Sequence, residues 1–268
     1  MKSVFYSAIM FFAFAGCGEK RPPQKIPLPS KISISVAAAA DLKFAFVEIV
    51  DEFQREYPGI QVETSYGSSG NFFAQLSNRA PFDIFFSADM GYPRKLIEQG
   101  DAVKESEFQY AVGHIGLWVL NDSPLDLDDR GIGVLNDPTV KQIAIANPRF
   151  APYGRAAESA LKHFEIYDSI KDRIVLGENI TQATQFVESG AADIGIIAQS
   201  IAMAPPLRDK GKYWPLPEDS HPKLEQGGVI LSWVQDREAC EKLRSFVISE
   251  RGQSILRRYG FERPKDGL

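Results

Sequence analysis

The sequence predicts an α/β fold, because segments with strand and helix periodicity alternate from residue 32 to the C-terminus. Residues 32–36 (ISISV) alternate strictly between apolar and polar side chains, which is typical of a strand. Residues 41–57 then show helical spacing of the apolar residues Leu42, Phe46, Ile49, Val50 and Phe53. Pro58-Gly59 ends that helix, and a second strand is predicted at 60–64. Such alternation favours mostly parallel sheets covered by helices.

The rest of the chain continues this alternation. Further strands are predicted at 82–86, 110–113, 115–120, 142–146, 173–176, 192–198 and 227–234. Further helices are predicted after the second strand, at 93–99, 155–164 and 181–189, and as a pair within 238–259. Gly100 is expected to end the helix at 93–99, because glycine readily adopts the left-handed conformation found at helix ends.

The first 31 residues are predicted to lie outside the fold. Residues 1–17 combine Lys2 with an apolar run and small residues, as secretory signal peptides do. Their ending, Phe14-Ala15-Gly16-Cys17, resembles a bacterial lipobox, which predicts a lipid anchor at Cys17; the alternative is a cysteine that is lost on cleavage. Residues 18–31 are polar and rich in proline, which favours an extended tether. We therefore expect an exported protein in the periplasm or on the outer face of the membrane.

Composition limits the classes of function. The chain has 268 residues, of which 44% are hydrophobic, and this is ordinary for a globular protein with one large domain or two lobes. Its net charge of -5 offers no basic surplus for nucleic acid. If Cys17 is lipidated, Cys240 has no partner for an intramolecular disulfide. Cys240 is interpreted as a small buried apolar residue.

Residues 66–76 carry the clearest functional signal. Gly67-Ser68-Ser69-Gly70 directly precedes a segment that can form a helix. A helix start has unpaired N–H groups and a positive dipole end, while serine hydroxyls add neutral donors, so such a loop suits an anion. The alternative is a flexible turn. Three more loops that lead from a strand into a helix, at 37–41, 147–154 and 177–181, favour the anion site, because ligands collect where strands end.

These loops offer neutral donors without an obligatory Lys or Arg. They are the hydroxyls of Ser68, Ser69 and Tyr153 and the backbone N–H groups of Asp41, Tyr153 and Ile180. Hydrogen bonds to a charged acceptor are stronger than those between neutral groups, so such donors can hold a dehydrated tetrahedral oxyanion. Asp41 is also predicted to be the N-cap of the first helix.

The sequence gives little support for catalysis. His114, His163 and His221 lie far apart and show no metal-ligand spacing. Neither a G-x-S-x-G elbow nor a Walker A motif is present in the sequence. We therefore expect a binding protein rather than an enzyme. The rival from another class is a secreted α/β hydrolase that uses Ser69, although no base can be paired with this serine.

Several motifs together resemble the periplasmic molybdate-binding proteins of ABC importers. They follow the family order: Ala37 to Leu42 (AAAADL), Gly67 to Gly70 (GSSG), Ala80 to Asp89 (APFDIFFSAD), Asn147-Pro148 with Ala151 to Gly154 (APYG), and Arg258 to Phe261 (RYGF). The resemblance implies a type II periplasmic-binding-protein fold, in which two α/β lobes are joined by crossover strands and a ligand cleft lies between them. It places lobe 1 at 32–113 plus 229–268 and lobe 2 at 114–228.

The same resemblance implies a set of ligand contacts. They are Ala40, Asp41, Ser69, Tyr153 and Ile180, with Ser68 and Asn179 as weaker candidates. Family members commonly carry Ser or a Thr-Asn pair where this chain has Ala40-Asp41. Because a carboxylate would repel a dianion, Asp41 is expected to turn its side chain away as a helix cap and offer only its N–H. Tyr153 is expected to replace a tyrosine that some members have near Ala198.

The implied function is the capture of molybdate, and of tungstate, for the membrane subunits of an ABC import permease. We expect a monomer that binds a small oxyanion, with no cofactor, no metal beyond the oxyanion itself, and membrane contact only through the lipid anchor. Sulfate and phosphate are the alternative ligands. Sulfate is also a tetrahedral dianion, so selectivity would depend on the size of the cavity.

Overall fold

The computed structural model describes residues 32–264. The predicted signal peptide at 1–17 with Cys17, the tether at 18–31 and the last residues, 265–268, lie outside the described residues. Within the described range, none of the helices combines the length and the apolar character needed to cross a bilayer.

Strands and helices alternate along the described range, as predicted. The strands are β1 (Ile32–Ala39), β2 (Ile60–Gly67), β3 (Ile84–Ser87), β4 (Phe108–Gly113), β5 (Ile115–Leu120), β6 (Ile143–Ala146), β7 (Ile174–Gly177), β8 (Ile194–Ala198), β9 (Gly211–Pro215) and β10 (Leu224–Ile230). The α-helices are α1 (Lys43–Glu56), α2 (Ser69–Leu76), α3 (Gly91–Gln99), α4 (Leu127–Arg130), α5 (Pro152–His163), α6 (Tyr167–Ile170), α7 (Ile180–Glu188), α8 (Gln199–Ala202), α9 (Arg237–Ile248) and α10 (Glu250–Arg258).

The strands form two five-stranded sheets, in the orders β2-β1-β3-β10-β4 and β7-β6-β8-β5-β9. Strand β1 runs parallel to β2 and β3, and β6 runs parallel to β7 and β8. Strand β10 is antiparallel to β3 and β4, as β5 is to β8 and β9. Two mixed sheets covered by helices confirm the predicted α/β fold with two lobes.

The chain passes from one sheet to the other twice. It leaves the first sheet at His114, between β4 and β5, and it returns to that sheet with β10. Residues 224–228, which the sequence prediction assigns to lobe 2, pair with β4 in the first sheet. The limits of the two lobes in residue numbers stay a prediction.

Helix α1 is fixed against the first sheet by an apolar face. Phe46, Ile49 and Phe53 are fully buried, and the Phe46 ring meets Phe86 of β3 edge-on, with 4.9 Å between ring centroids. Burying a side chain of this size stabilises the fold by about 1.5–3 kcal/mol. The packing thereby fixes the start of α1 and the 3₁₀ turn Ala40–Leu42 that leads into it.

Some boundaries differ from the predictions. The helix predicted from residue 155 begins at Pro152, because a proline suits the first position of a helix, and Tyr153 therefore lies in the first turn. The strand predicted at 227–234 is observed as β10, three residues earlier at its start. Gly100 ends α3 with a φ of 79°, as predicted. Cys240 is fully buried and free, which confirms its interpretation.

Candidate functional site

Junctions that lead from a strand into a helix meet at one small cavity, about 10 Å³ in volume. They follow β1 and β2 in the first sheet and β6 and β7 in the second. The lining residues are Ala39, Ala40, Asp41, Gly67, Ser68, Ser69, Ala88, Ala151, Pro152, Tyr153, Asn179 and Ile180. Every ligand contact that the sequence predicted is in this set. The structure thus brings together residues from all four predicted loops.

The cavity lies at the starts of α2, α5 and α7. Ser69 and Ile180 are the first residues of α2 and α7, and Tyr153 is the second residue of α5. N–H groups in a first turn have no acceptor within their helix, and the helix dipoles place positive ends at the same point. Among the described residues, neither Lys nor Arg lines this cavity. The local environment therefore suits an anion held by neutral donors.

Two serine hydroxyls have a hydrogen to offer at the cavity. Ser69 is 1% exposed, and its Oγ accepts a hydrogen bond from the Ala88 N–H at 3.0 Å, which leaves its own hydrogen for a ligand. Ser68 is the N-cap of α2, yet its hydroxyl caps no N–H group and is buried without a partner. An unpaired buried hydroxyl costs about 1–3 kcal/mol. Sequence reasoning ranked Ser69 first, whereas the structure gives Ser68 an equal claim.

Asn179 shapes the start of α7. Its Oδ1 accepts hydrogen bonds from the N–H groups of Thr181 and Gln182 at 3.0 and 3.1 Å. These two bonds occupy the side-chain oxygen of Asn179. The N–H of Ile180, the first residue of the helix, receives no capping bond from Asn179. The Thr181 hydroxyl donates to the Ala40 carbonyl at 3.1 Å, which ties α7 to the loop after β1.

The prediction that Asp41 caps a helix is wrong. Leu42 is the N-cap of α1, with no capping bond from a side chain. The Oδ2 atom of Asp41 instead accepts hydrogen bonds from the Tyr153 hydroxyl at 2.9 Å and from Gln226 Nε2 at 2.7 Å. Asp41 is 1% exposed, and its Oδ1 has no partner among the described residues. The Asp41 carboxylate thus accepts hydrogen bonds from side chains that are distant in sequence, in place of the N–H groups of a helix start.

Gln226 and Tyr110 extend this buried network, and sequence reasoning missed both. Gln226 Nε2 lies 2.9 Å from the Tyr153 oxygen, which can accept from it, and its Oε1 accepts from the Tyr110 hydroxyl at 2.9 Å. Gln226 is fully buried within β10. Gln226, a polar residue beside an apolar strand, was a usable signal, but the strand predicted from the sequence began at residue 227.

The electrostatics of the network centre on Asp41, whose side-chain partners, Tyr153 and Gln226, are both neutral. Burial raises the pKa of Asp41 to about 6, against the lowering effect of hydrogen bonds from the Gln226 and Tyr153 side chains and from the backbone N–H groups of Asp41 and Leu42. Burial, and then the nearby Asp41 charge, hold the pKa of Tyr153 well above its usual range. Tyr153 is therefore a neutral phenol, and its hydroxyl donates a hydrogen bond to Asp41. What Tyr153 offers the cavity is its backbone N–H.

The cleft between the two lobes is closed by direct bonds. The Gly70 N–H of α2 donates to the Phe150 carbonyl at 2.8 Å. Only glycine allows this approach, because a Cβ on residue 70 would lie 2.6 Å from that oxygen. Arg155 of α5 pairs with Asp89, which follows β3. Backbone and side chains thus hold the two lobes together around the cavity.

A larger groove runs along the crossover segments and contains His114, Glu218 and Glu262. The Nδ1 of His114 lies 3.9 Å from Glu218 Oε1, and its Nε2 lies 3.7 Å from Glu262 Oε2. The three side chains are close enough to hold an ion, but the carboxylates approach opposite nitrogens, whereas an imidazole binds one ion through one nitrogen. The cluster fits a bridge between chain segments better than a metal site.

Residues 34–262 match the family of bacterial extracellular solute-binding proteins. The chain belongs to this family. The match covers nearly the whole described range of the solute-binding protein, and this is a family of extracellular proteins.

Individual relatives of this solute-binding protein agree with one another. Molybdate-binding protein ModA of Azotobacter vinelandii is 35% identical over 85% of this chain and 89% of its own length. Molybdate-binding protein ModA of Rhodobacter capsulatus is 31% identical over 88% of this chain and 91% of its own length. The solved structure of the A. vinelandii periplasmic molybdate-binding protein superposes with a TM-score of 0.81 at 32% identity, covering 87% of this chain and 100% of that one. The predicted resemblance and its fold are confirmed.

Proposed function

We propose that this solute-binding protein captures molybdate, and also tungstate, and delivers the oxyanion to the membrane subunits of an ABC import permease. One observation carries the proposal: the starts of α2, α5 and α7 and two buried serine hydroxyls converge on a cavity that no Lys or Arg of the described residues lines. The choice of ligand is supported by the A. vinelandii relative, which is named for molybdate.

The donors divide into hydroxyl and backbone groups. Ser68 and Ser69 supply O–H donors from the start of α2, and Tyr153 and Ile180 supply N–H donors from α5 and α7. The turn at Ala40-Asp41 adds backbone N–H groups from the loop after β1. A hydrogen bond to a charged acceptor contributes about 1.5–3 kcal/mol, so several such bonds can replace the hydration of a dianion. Selection among tetrahedral anions then depends on the fit of the closed cavity.

The proposal is one of binding without catalysis. The Ser69 hydroxyl accepts a hydrogen bond from the Ala88 N–H, and no base among the described residues contacts it. Asp41, the acid that lines the same cavity, accepts hydrogen bonds from Tyr153 and Gln226. A nucleophilic serine needs a base in hydrogen-bond contact. We extend the proposal to a monomer without a resident cofactor.

Export and anchoring complete the proposal. The signal peptide at 1–17 would direct secretion, Cys17 would carry the lipid, and the tether at 18–31 would let the folded domain reach its permease. Membership of an extracellular family supports export. Mass spectrometry of the mature N-terminus tests the anchor: a diacylated Cys17 is expected, and an unmodified terminus beyond residue 17 would refute it.

Thermal and calorimetric titration test the ligand. A saturating oxyanion at a hundred times its Kd stabilises the folded state by about 2.7 kcal/mol. We expect sodium molybdate and sodium tungstate to raise the melting temperature of the mature, tag-free protein, and we expect an excess of sulfate or phosphate not to compete. If only sulfate or phosphate raises the melting temperature, that ion is the ligand instead of molybdate. If no oxyanion raises it, anion binding is refuted.

A further inference from the structure

Asp41 is an acid that lines the cavity of the proposed anion. Its Oδ2 already accepts two hydrogen bonds, from Tyr153 and Gln226. Its Oδ1 is buried and has no partner among the described residues. An ionised carboxylate with an unpaired oxygen, out of contact with water, is a costly arrangement. Oδ1 is therefore the atom on which a proton would be most stable.

A bound dianion makes this arrangement worse, because two negative species would share one dry site. The carboxylate could move away or take a proton. Movement is opposed by its two hydrogen bonds and by tight packing behind the network, where a Cβ on Gly113 would lie 2.2 Å from the Tyr153 oxygen. Taking a proton removes the repulsion and creates a neutral O–H donor. The geometry thus favours protonation over displacement.

We propose that Asp41 takes up one proton from solvent when the oxyanion binds, and that the resulting carboxylic acid donates a hydrogen bond from Oδ1 to the anion. The anion keeps its charge, and the solvent or buffer supplies the proton. This inference rests on the proposed function, because it needs an anion in the cavity. It adds proton-linked capture to that function.

The other groups around Asp41 do not titrate in the physiological range. Tyr153 on α5 and Tyr110 on β4 have pKa values well above the usual range because both are buried. Gln226 on β10 is an amide, and the Ser200 hydroxyl on α8 donates to the Asp41 carbonyl at 2.9 Å. On the α7 side, the Thr181 hydroxyl bonds the neighbouring carbonyl of Ala40. Asp41 is thus the group in this network that can change its charge.

The charged groups Asp89 and Arg155, which pair across the cleft, already satisfy each other. In the free protein, burial raises the pKa of Asp41 to about 6. A bound dianion favours the neutral form and raises the pKa of Asp41 further. Between the two pKa values, the affinity should fall about tenfold for each pH unit, because binding then requires one proton. Below the lower pKa, the affinity should not depend on this group.

Isothermal titration calorimetry of the mature protein with sodium molybdate measures the proton uptake directly. Titrations at about pH 7.5 in buffers of different ionisation enthalpy should show uptake of close to one proton per anion. Asp41→Asn places a permanent N–H donor on the same side chain, so it should take up none. Its affinity should be constant between about pH 6.5 and 8.5, while the wild type loses up to about a hundredfold.

Asp193→Asn is the matched control. Asp193 is an exposed acid whose Oδ2 accepts from the N–H groups of Lys141 and Gln142, and it precedes β8, at the end of the strand opposite the cavity. This variant should keep the proton uptake of the wild type. The wild-type measurement needs no variant, so a folding defect in Asp41→Asn cannot hide the answer.

The two proposals fail in different ways. Molybdate binding by the wild type without proton uptake would overturn the inference about Asp41 and leave the proposed function standing. Uptake that persists in Asp41→Asn would also overturn it, because another group would then carry the proton. If neither the wild type nor Asp41→Asn binds molybdate or tungstate, the proposed function is overturned, and the inference falls with it.

Discussion

The hydroxyl of Tyr153 donates a 2.9 Å hydrogen bond to Asp41, which lies 112 residues earlier in the chain. Asp41 follows β1 of the first sheet, whereas Tyr153 lies in the first turn of the helix after β6 of the second. Gln226 of β10 contacts both side chains. One buried network therefore joins the two lobes beside the cavity. Separation of the lobes at this point would remove the hydrogen bond from Tyr153 to the Asp41 carboxylate.

Ser68→Ala should weaken oxyanion binding without lowering the stability of the free protein. The hydroxyl of Ser68 has no partner in the free protein, so its removal breaks no described hydrogen bond there. In the complex it would donate to a charged acceptor, and its loss should cost about 1.5–3 kcal/mol, or about ten- to a hundredfold in affinity. Calorimetric titration and chemical denaturation measure the two effects.

Ser77→Ala is the matched control for that variant. Ser77 lies at the other end of α2, where its exposed hydroxyl donates to Gln99. Its affinity for the oxyanion should equal that of the wild type. Wild-type affinity in Ser68→Ala would show that the Ser68 hydroxyl does not contact the anion.

Gly70→Ala should weaken binding by hindering closure. A Cβ on residue 70 would lie 2.6 Å from the Phe150 carbonyl across the contact, and 2.8 Å from the Tyr92 hydroxyl of α3. Overpacking of this kind typically costs about 1–3 kcal/mol. The affinity should fall by about five- to a hundredfold, although no donor hydroxyl is lost. Small-angle scattering with saturating ligand should show a more extended protein than the wild type.

Gly59→Ala provides the comparison, because a Cβ on residue 59 would meet no atom within 4 Å. Affinity and scattering curve should both match the wild type. Equal affinity in Gly70→Ala and Gly59→Ala would mean that ligand capture does not need the contact between Gly70 and Phe150.

The stability of the free protein should depend on pH through Asp41. Burial raises its pKa from 3.8 to about 6, so the folded state holds the proton more tightly than the unfolded state does. This contribution is fully present below pH 3.8 and is lost as the pH rises to about 6. Relative to Asp41→Asn, the wild type should lose about 3 kcal/mol over that interval and stay level above it. Denaturation of both ligand-free proteins at several pH values checks this; two parallel curves would contradict it.

The ion pair between Asp89 and Arg155 should contribute little. Its side chains are 37% and 39% exposed, and exposed pairs are typically worth less than about 1 kcal/mol. Asp89→Asn should therefore reduce the affinity by less than about fivefold, and added salt should narrow the difference from the wild type. Titration at low and high salt measures both. A larger loss would show that the pair is shielded from water in the complex.

Sequence reasoning predicted the elements that depend on local periodicity. The alternation at 32–36 and the helical spacing of Phe46, Ile49 and Phe53 follow from which side chains must be buried. Strand β9 was missed, because a short edge strand is defined by its pairing with β5 rather than by its own pattern. The early start of α5 was also missed, although Pro152 at its first position was a usable signal.

The features of the site also divide into those that the local sequence predicts and those that depend on distant residues. The loops around Ser69 and Ile180 could be predicted, because they lie where a strand leads into a helix. The bonds of Asp41 could not, since its partners Tyr153 and Gln226 are distant in sequence and compete with a local cap. The equal claim of Ser68 also needed the structure, because only burial shows that its hydroxyl lacks a partner.

The hydrogen bond from Gly70 to Phe150 makes one backbone amide a reporter of opening. Gly70 is the second residue of α2, so its N–H has no acceptor within the helix and donates instead to the Phe150 carbonyl. Each separation of the lobes exposes this amide to water, where deuterium replaces its hydrogen. The deuteration rate at Gly70 therefore reports the population of the open cleft. Release of the bound ion has to pass through the same exposed state.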